Sequence, residues 1–417
     1  MKRILIFSLV YYPRFIGGAE VAIKEITDRI SPADVEFDMV TLRLDKTLPK
    51  YEKIGNVNVC RVGFSGVCTD SADSLRFPLK LNKYLLPFMG AAKACSLHRH
   101  RHYDATWAMM ANYAGFAALF FKWLKPSVPF LLTLQEGDPI PYIKKRVGAL
   151  YPLFKQIFVK ADRVQAISHY LADFAREMRG EGAGASTNSS DMSVVVVPNA
   201  VDVAHFSHRL PDVELTSLKD TLGKKYTDEF LVTTSRLVVK NAVGDIISAL
   251  PLLAEHVKLL VLGVGYQENE LRALATKLGV SGRVQFLGHV PHAEMPKYLH
   301  ISDVFIRPAL SEGFGNSFIE AMAAGIPVIA TPVGGIVDFL TSPEDAKESE
   351  KVKGPFFAKK ATGLFCEVSN PASIAEQVKR LEDRTLRDTL VSNAKAMVTA
   401  KYDWSNITEQ MKHFLLQ

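Results

Sequence analysis

Residues 307–335 read RPALSEGFGNSFIEAMAAGIPVIATPVGG, and the fold can be built outward from them. A short apolar strand, Val304-Phe305-Ile306, runs into this stretch. A loop with two glycines follows, Gly313 and Gly315, set among Ser311, Glu312, Asn316 and Ser317. Ser317 to Ala324 is amphipathic and stops at Gly325. Pro327-Val328-Ile329-Ala330 then reads as the next buried strand, and Gly334-Gly335 as a sharp turn. A glycine-containing loop between strand and helix presents backbone N–H groups at the helix start, where an anion can bind. Glu312 and Glu320 flank that start. Carboxylates beside a phosphate cradle repel the phosphate unless they face something else, and neutral hydroxyls suit them. The stretch asks for a ligand that is part diphosphate and part polyol, as a nucleotide sugar is.

Upstream, strand and helix patterns alternate. Arg3–Leu9, Phe37–Leu42, Val57–Val62, Ala105–Trp107, Phe130–Leu134, Val164–Ile167 and Ser193–Val197 read as strands, with helices at Ala19–Ile30, Leu85–Leu97, Tyr113–Leu124 and Tyr170–Met178. The alternation restarts at Phe230–Thr234 and runs to Gly335, after which it lapses into Thr341–Ala361 and returns with a short strand at Gly363-Leu364-Phe365. This is the mark of an α/β chain whose parallel sheets are covered on both faces. At 417 residues one core would outgrow its usual size, so two Rossmann-like doubly wound domains are expected, residues 1–200 and 201–400, with a ligand in the crevice between them. Glu181–Asp191 reads as a surface loop, and Thr341–Ala361, rich in Lys, Glu and Asp, as a solvated, mobile insertion.

The formal net charge of +6 favours anionic partners such as nucleotides or anionic lipid. Nucleic acid is not expected, because no basic run exceeds Lys144-Lys145-Arg146 and no reading helix declares itself. Cys60, Cys68, Cys95 and Cys366 form no CxxC pair, which fits a reducing compartment. The opening MKRILIFSLVYYPRF leads into a glycine loop without a small-residue cleavage pattern, so it reads as a strand. A cytoplasmic protein is expected, with no membrane span.

Candidate binding groups stand at strand ends. Gly17-Gly18 follow the first strand, where backbone can approach a ligand. Arg236 and Lys240 follow Phe230–Thr234; a guanidinium fork suits phosphate oxygens and a lysine adds a compact charge. Gly263 and Gly265 are half of a dinucleotide fingerprint and read as room for a ligand. Phe286 to Val290 can line a pocket for a base edge. His98, His100 and His102 alternate with arginines and read as a charged turn, not a metal site. Glu312 and Glu320 are not taken as a glycosidase pair, since a diphosphate cradle lies between them. No DxD doublet is present to hold a divalent ion, so the expectation is a site without metal or other cofactor, neutralised by Arg236, Lys240 and backbone donors.

Glu312-Gly313-Phe314-Gly315-Asn316-Ser317-Phe318-Ile319-Glu320-Ala321-Met322-Ala323-Ala324-Gly325-Ile326-Pro327-Val328 resembles the E-x7-E signature of the GT-B glycosyltransferases of the GT4 family. Gly17-Gly18-Ala19-Glu20, Val197-Pro198-Asn199-Ala200-Val201-Asp202, Ser235-Arg236-Leu237 and Gly334-Gly335 match the same family. The resemblance implies a retaining enzyme that uses nucleotide-activated sugars. It implies that Glu320 hydrogen-bonds the ribose, Glu312 faces the donor sugar, and the backbone of Gly313, Phe314, Gly315, Asn316 and Ser317 meets sugar and diphosphate. Arg236 would neutralise the leaving diphosphate, the Gly17-Gly18 loop would approach it, and residues 401–417 would form a helix crossing back to the first domain. Three positions depart from the pattern. Asn241 and Ala242 stand where a lysine and a glycine are usual, with Lys240 one place earlier. Gln135 replaces a histidine held to contact the donor sugar, and Asp338 replaces a glutamate.

Together these readings predict a hexosyltransferase moving sugar from a UDP-, GDP- or ADP-sugar to a glycan or lipid-linked acceptor, by a metal-independent front-side route. The alternative is a sugar-nucleotide-binding subunit without catalysis, suggested by Gln135 and the lysine shift. Phe120–Lys125 and Tyr142–Lys160 combine aromatics with lysines. They could rest on an anionic membrane face or form an ordinary helix pair.

Overall fold

The computed structural model describes residues 1–67, 75–181, 193–353 and 359–416; Cys68, residues 182–191 of the polar loop and 354–358 of the insertion lie outside them. The chain divides into two compact units, Met1–Asn199 with Trp404–Gln417, and Ala200–Asp403.

In the first unit the elements are β1 (Lys2–Phe7), α1 (Gly18–Arg29), β2 (Val35–Leu42), β3 (Tyr51–Ile54), β4 (Val57–Val62), α2 (Leu81–Arg101), β5 (Ala105–Met109), α3 (Tyr113–Leu124), β6 (Phe130–Leu134), α4 (Ile140–Val147), α5 (Tyr151–Lys160), β7 (Arg163–Ala166), α6 (His169–Arg179) and β8 (Val194–Val196). The sheet order is β3-β4-β2-β1-β5-β6-β7-β8. Its central strands are mostly apolar, β5 and β6 being buried at every position, because helices cover both faces.

Two departures from the sequence reading appear here. β3 pairs antiparallel with β4 through a two-residue turn at Gly55-Asn56, with Gly55 at φ +56°. All four of its residues are exposed or half-buried, so no apolar pattern announced it. The histidine tract is not a turn: α2 continues through His98 and His100, and His102 caps it at φ +51°, donating its N–H to the His98 carbonyl. Basic residues suit that carbonyl-rich end. Among the described residues no group of three or more His, Cys, Asp or Glu side chains is placed to hold a metal ion.

The second unit contains α7 (Val203–Ser207), α8 (Asp212–Thr221), β9 (Glu229–Thr234), α9 (Val243–Ala249), β10 (Val257–Leu262), α10 (Glu268–Lys277), β11 (Val284–Gly288), α11 (Met295–His300), β12 (Val304–Arg307), α12 (Asn316–Ala324), β13 (Val328–Ala330), α13 (Pro343–Lys353), β14 (Leu364–Phe365), α14 (Pro371–Arg380) and α15 (Arg384–Lys401). Its six strands are all parallel, in the order β11-β10-β9-β12-β13-β14. The expected mobile insertion is helical over most of its length as α13, with Glu344 ion-paired to Arg380 of α14 at 2.8 Å. Charge density alone misread it, because a solvated helix carries the same composition as a loop. The closing helix α16 (Trp404–Leu416) belongs to the first unit and places Lys412 2.6 Å from Asp34. No helix among the described residues is long and apolar enough to cross a membrane.

In the second unit the strand order reverses between the neighbours β9 and β12, since the strands that follow them, β10 and β13, lie to opposite sides of the pair. Loops leaving the carboxyl ends of such neighbours part and leave room for a ligand. Arg236 and Lys240 leave β9, Gly263 leaves β10, Val290 follows β11, and Glu312 to Glu320 follow β12. The sequence candidates of this unit therefore share one edge of one sheet.

Candidate functional site

The loop after β12 is shaped by what lies under it. Phe314 is buried and packs on Phe339 and Tyr402, with ring centroids 5.2 and 5.6 Å away. Its side chain anchors the loop, so only its backbone can meet a ligand. Gly315, at φ +102°, is the N-cap of α12 and brings no capping side chain; a Cβ there would come within 2.5 Å of Phe318. Glycine is thus required at the point where the chain turns into the helix. The Gly334-Gly335 stretch opens a 3-10 turn, Gly334–Asp338, and the Gly335 N–H donates to the Glu312 carbonyl at 3.1 Å.

Glu312 and Glu320 are both largely covered, and each has a partner the sequence reading did not name. Glu312 forms an ion pair with Arg307, and its Oε1 accepts the Gly313 N–H at 3.1 Å. Glu320 Oε1 lies 3.1 Å from Nε2 of His292, whose ring packs on Phe206. Arg307 also donates Nη1 to Ser317 Oγ at 2.7 Å and lies 5.0 Å over the Phe318 ring. Burial pushes the Arg307 pKa down to about 10, with Glu320 raising it and Arg236 lowering it; it remains charged at neutral pH. Arg307 could have been suspected, since a cation closing a buried strand needs a partner. His292 gave no local sign.

Arg236 is exposed at the rim of this site. Its loop is tied by Asn241, whose Nδ2 donates to the Arg236 carbonyl at 2.7 Å, and by the Leu237 N–H on the Val264 carbonyl at 3.0 Å. The Lys240 carbonyl accepts the Leu310 N–H at 2.7 Å, which joins the loop after β9 to the loop after β12. A Cβ on Gly263 would fall 1.8 Å from the Ser235 carbonyl oxygen, and one on Gly265 would fall 2.2 Å from that of Leu237. The Cβ side of both glycines is therefore occupied by the Arg236 loop. Val290 is buried beyond Gly288, itself at φ +69°.

Ala242, where the family pattern has glycine, adopts φ +49° and ψ +38°. A Cβ in that left-handed conformation is strained by roughly 1–2 kcal/mol. Ala242→Gly is expected to raise stability by about 1 kcal/mol after the entropy cost of glycine, or Tm by roughly 2–4 °C. A thermal melt that shows no gain would remove the strain argument.

In the first unit, Gly17 and Gly18 start α1 at the carboxyl end of β1; Gly17 is extended, at φ −133°. Gln135 is not an open contact group. Its Nε2 donates to Asn199 Oδ1 at 3.0 Å, and Asn199 Nδ2 donates back to Gln135 Oε1 at 3.2 Å. The next residue, Glu136, is buried; its Oε1 accepts the Ala111 N–H at 2.7 Å and its Oε2 has no partner. Burial raises its pKa from 4.5 to about 7. A carboxyl raised in the folded state contributes fully below its unfolded value and loses that contribution as pH rises towards the folded one. The gap corresponds to roughly 3 kcal/mol. Between pH 5 and pH 8, wild type should therefore lose roughly 2–3 kcal/mol relative to Glu136→Gln, read from urea unfolding at both pH values. Parallel pH dependences would contradict it.

Residues 216–397 match the family described as glycosyl transferases group 1. The chain carries a group 1 glycosyltransferase domain. The chain is 26% identical to an uncharacterized glycosyltransferase of Methanocaldococcus jannaschii over 98% of this chain and 96% of that one. It is 30% identical to a GDP-mannose-dependent monoacylated alpha-(1-6)-phosphatidylinositol monomannoside mannosyltransferase of Corynebacterium glutamicum, over 52% of this chain and 55% of that protein. Among solved structures, sucrose-phosphate synthase of Thermosynechococcus elongatus aligns with a TM-score of 0.76 at 19% identity, covering 100% and 98% of the two chains. Anabaena HepE in complex with UDP-glucose aligns at 0.75 and 20% identity, covering 100% and 99%. The chain has the GT-B fold.

Proposed function

We propose that this enzyme is a retaining hexosyltransferase that moves a sugar from a nucleoside diphosphate to a hydroxyl of a glycan or lipid-linked glycan. The observation that carries the reading is the grouping in the second unit of an exposed Arg236, the glycine-capped start of α12 and two carboxylates at one sheet edge. In this reading the diphosphate lies against the α12 N-terminus and Arg236, Glu320 accepts from the ribose, and Glu312 accepts from the sugar hydroxyls. The Anabaena protein that binds UDP-glucose supports a nucleotide-sugar donor. No group in the site is placed as an obvious nucleophile, so the acceptor oxygen is taken to attack the anomeric carbon on the face the diphosphate leaves. The anomeric carbon–phosphate oxygen bond breaks with its electron pair going to the diphosphate, and the acceptor proton passes to that oxygen. Arg236 and the helix N–H groups stabilise the charge that develops there, which is where differential binding accelerates the step. The proposed chemistry uses neither metal nor organic cofactor.

Turnover of UDP-, GDP- and ADP-sugars, followed by NMR of the product anomer, tests it. Retained configuration is expected, and an inverted linkage would overturn the front-side route.

A membrane-borne acceptor is supported by the outer face of the first unit. Leu81, Tyr84, Leu85 and Phe88 of α2 and Trp123 and Leu124 of α3 are exposed, and Phe120 packs tilted against Phe88 at 5.3 Å and stacked on Trp123 at 5.4 Å. Helix α4 buries no residue and exposes Tyr142, Lys145 and Arg146. Helix α5 packs inward through Phe154, Ile157 and Phe158, as in an ordinary helix pair. Aromatics with basic neighbours suit an anionic interface, and the Corynebacterium relative is named for a phosphatidylinositol mannoside. Sedimentation with phosphatidylglycerol vesicles should fall with added salt; no sedimentation at low salt would remove the membrane reading.

A further inference from the structure

Arg307 ends β12, after Val304, Phe305 and Ile306, with 8% of its surface exposed. Burying a guanidinium is unfavourable unless something repays the lost hydration, and its Nε finds no partner. A leucine or methionine would fill the strand end as well. What Arg307 supplies is a fork with two fixed targets: the Glu312 carboxylate through Nη2 and the Ser317 hydroxyl oxygen through Nη1, at 2.7 Å.

Those two bonds set which partner gives the proton in each contact the site offers. The Glu312 carboxylate, paired with the Arg307 guanidinium, offers acceptors; Arg307 takes Oε2 and the Gly313 N–H takes Oε1, leaving further lone pairs on both. Ser317 accepts from Arg307 with one of its two lone pairs, which fixes the hydroxyl and leaves its O–H able to donate to an oxygen at the start of α12. An accepting carboxylate beside a donating hydroxyl is the pattern that reads a sugar hydroxyl and its neighbouring oxygen. We propose that Arg307 is a positioning residue that makes this site selective for the hydroxyls of the transferred sugar, acting through Glu312 and Ser317. This deepens the donor-site reading above and rests on it.

The test compares wild type, Arg307→Met and Arg307→Lys, using whichever of the UDP-, GDP- and ADP-sugars is turned over and its analogues lacking single sugar hydroxyls. Wild type should discriminate against at least one analogue by about tenfold or more in kcat/KM, and Arg307→Met by less than about threefold, because the polar group that enforced the choice is no longer held. Affinity for the free nucleoside diphosphate, measured by calorimetry, should change by less than about fivefold, since that ligand has no transferred sugar. Arg307→Lys keeps the charge but not the fork and should restore part of the discrimination. If Arg307→Met does not fold, the lysine variant alone decides, and undiminished discrimination in it overturns the proposal. Undiminished discrimination in a folded Arg307→Met, or a loss of nucleoside diphosphate affinity as large as the loss of turnover, also overturns it. Wild type that binds no nucleoside diphosphate would remove the donor-site reading and this inference together, whereas a variant matching an active wild type removes only the inference.

Discussion

Arg236→Ala is expected to lower kcat about 10²-fold, close to the cost of removing one donor from a preorganised anion site. The side chain is exposed at the rim of the site, while its loop is fixed from beneath by Asn241 and by Leu237. The substitution should therefore leave the backbone in place and remove only the cation. An interaction that strengthens as the diphosphate leaves appears in kcat and in kcat/KM alike. Arg236→Lys should recover only part of the rate, because an ammonium cannot grip two phosphate oxygens in one plane. Steady-state kinetics that match wild type in Arg236→Ala would take this residue out of the reaction.

Gly334→Ala should be among the most damaging single-methyl changes in the second unit. Gly334 has φ +55°, and a Cβ there would lie 1.8 Å from the Glu312 carbonyl oxygen. That oxygen is the acceptor for the Gly335 N–H, so the clash would push the glutamate loop outward. Backbone strain and overpacking together should cost roughly 3 kcal/mol, lowering Tm by roughly 6–12 °C. Gly279→Ala is the control, since Gly279 has φ +70° but nothing within 4 Å of its Cβ position. It should lose only the strain component, roughly 1–2 kcal/mol. Equal melts for the two variants would show that the Glu312 contact contributes nothing. Donor turnover should fall in Gly334→Ala and persist in Gly279→Ala.

Much of the second unit was legible because its signals are local. Strand, glycine loop and helix succeed one another within residues 304–325, and each is encoded by neighbours. The same holds for the alternation that predicted parallel sheets. What could not be read depends on contacts between distant segments. Gln135 is paired with Asn199, 64 positions on, and the Ser235 carbonyl lies against Gly263. Glu312 meets Arg307, the buried residue that opens the decisive stretch. β3 escaped because an edge strand exposed on both faces has no period to detect, and α13 because a charged, solvated helix resembles a loop in composition.

The central claim is that the second unit grips its donor by the diphosphate, between Arg236 and the start of α12. Calorimetry with a nucleoside, its monophosphate and its diphosphate, on wild type and Arg236→Ala, addresses it most directly. The account predicts that wild type binds the diphosphate at least about tenfold more tightly than the monophosphate, and that Arg236→Ala loses most of that difference. Equal affinity for the two in wild type, or a preference untouched by Arg236→Ala, would contradict it.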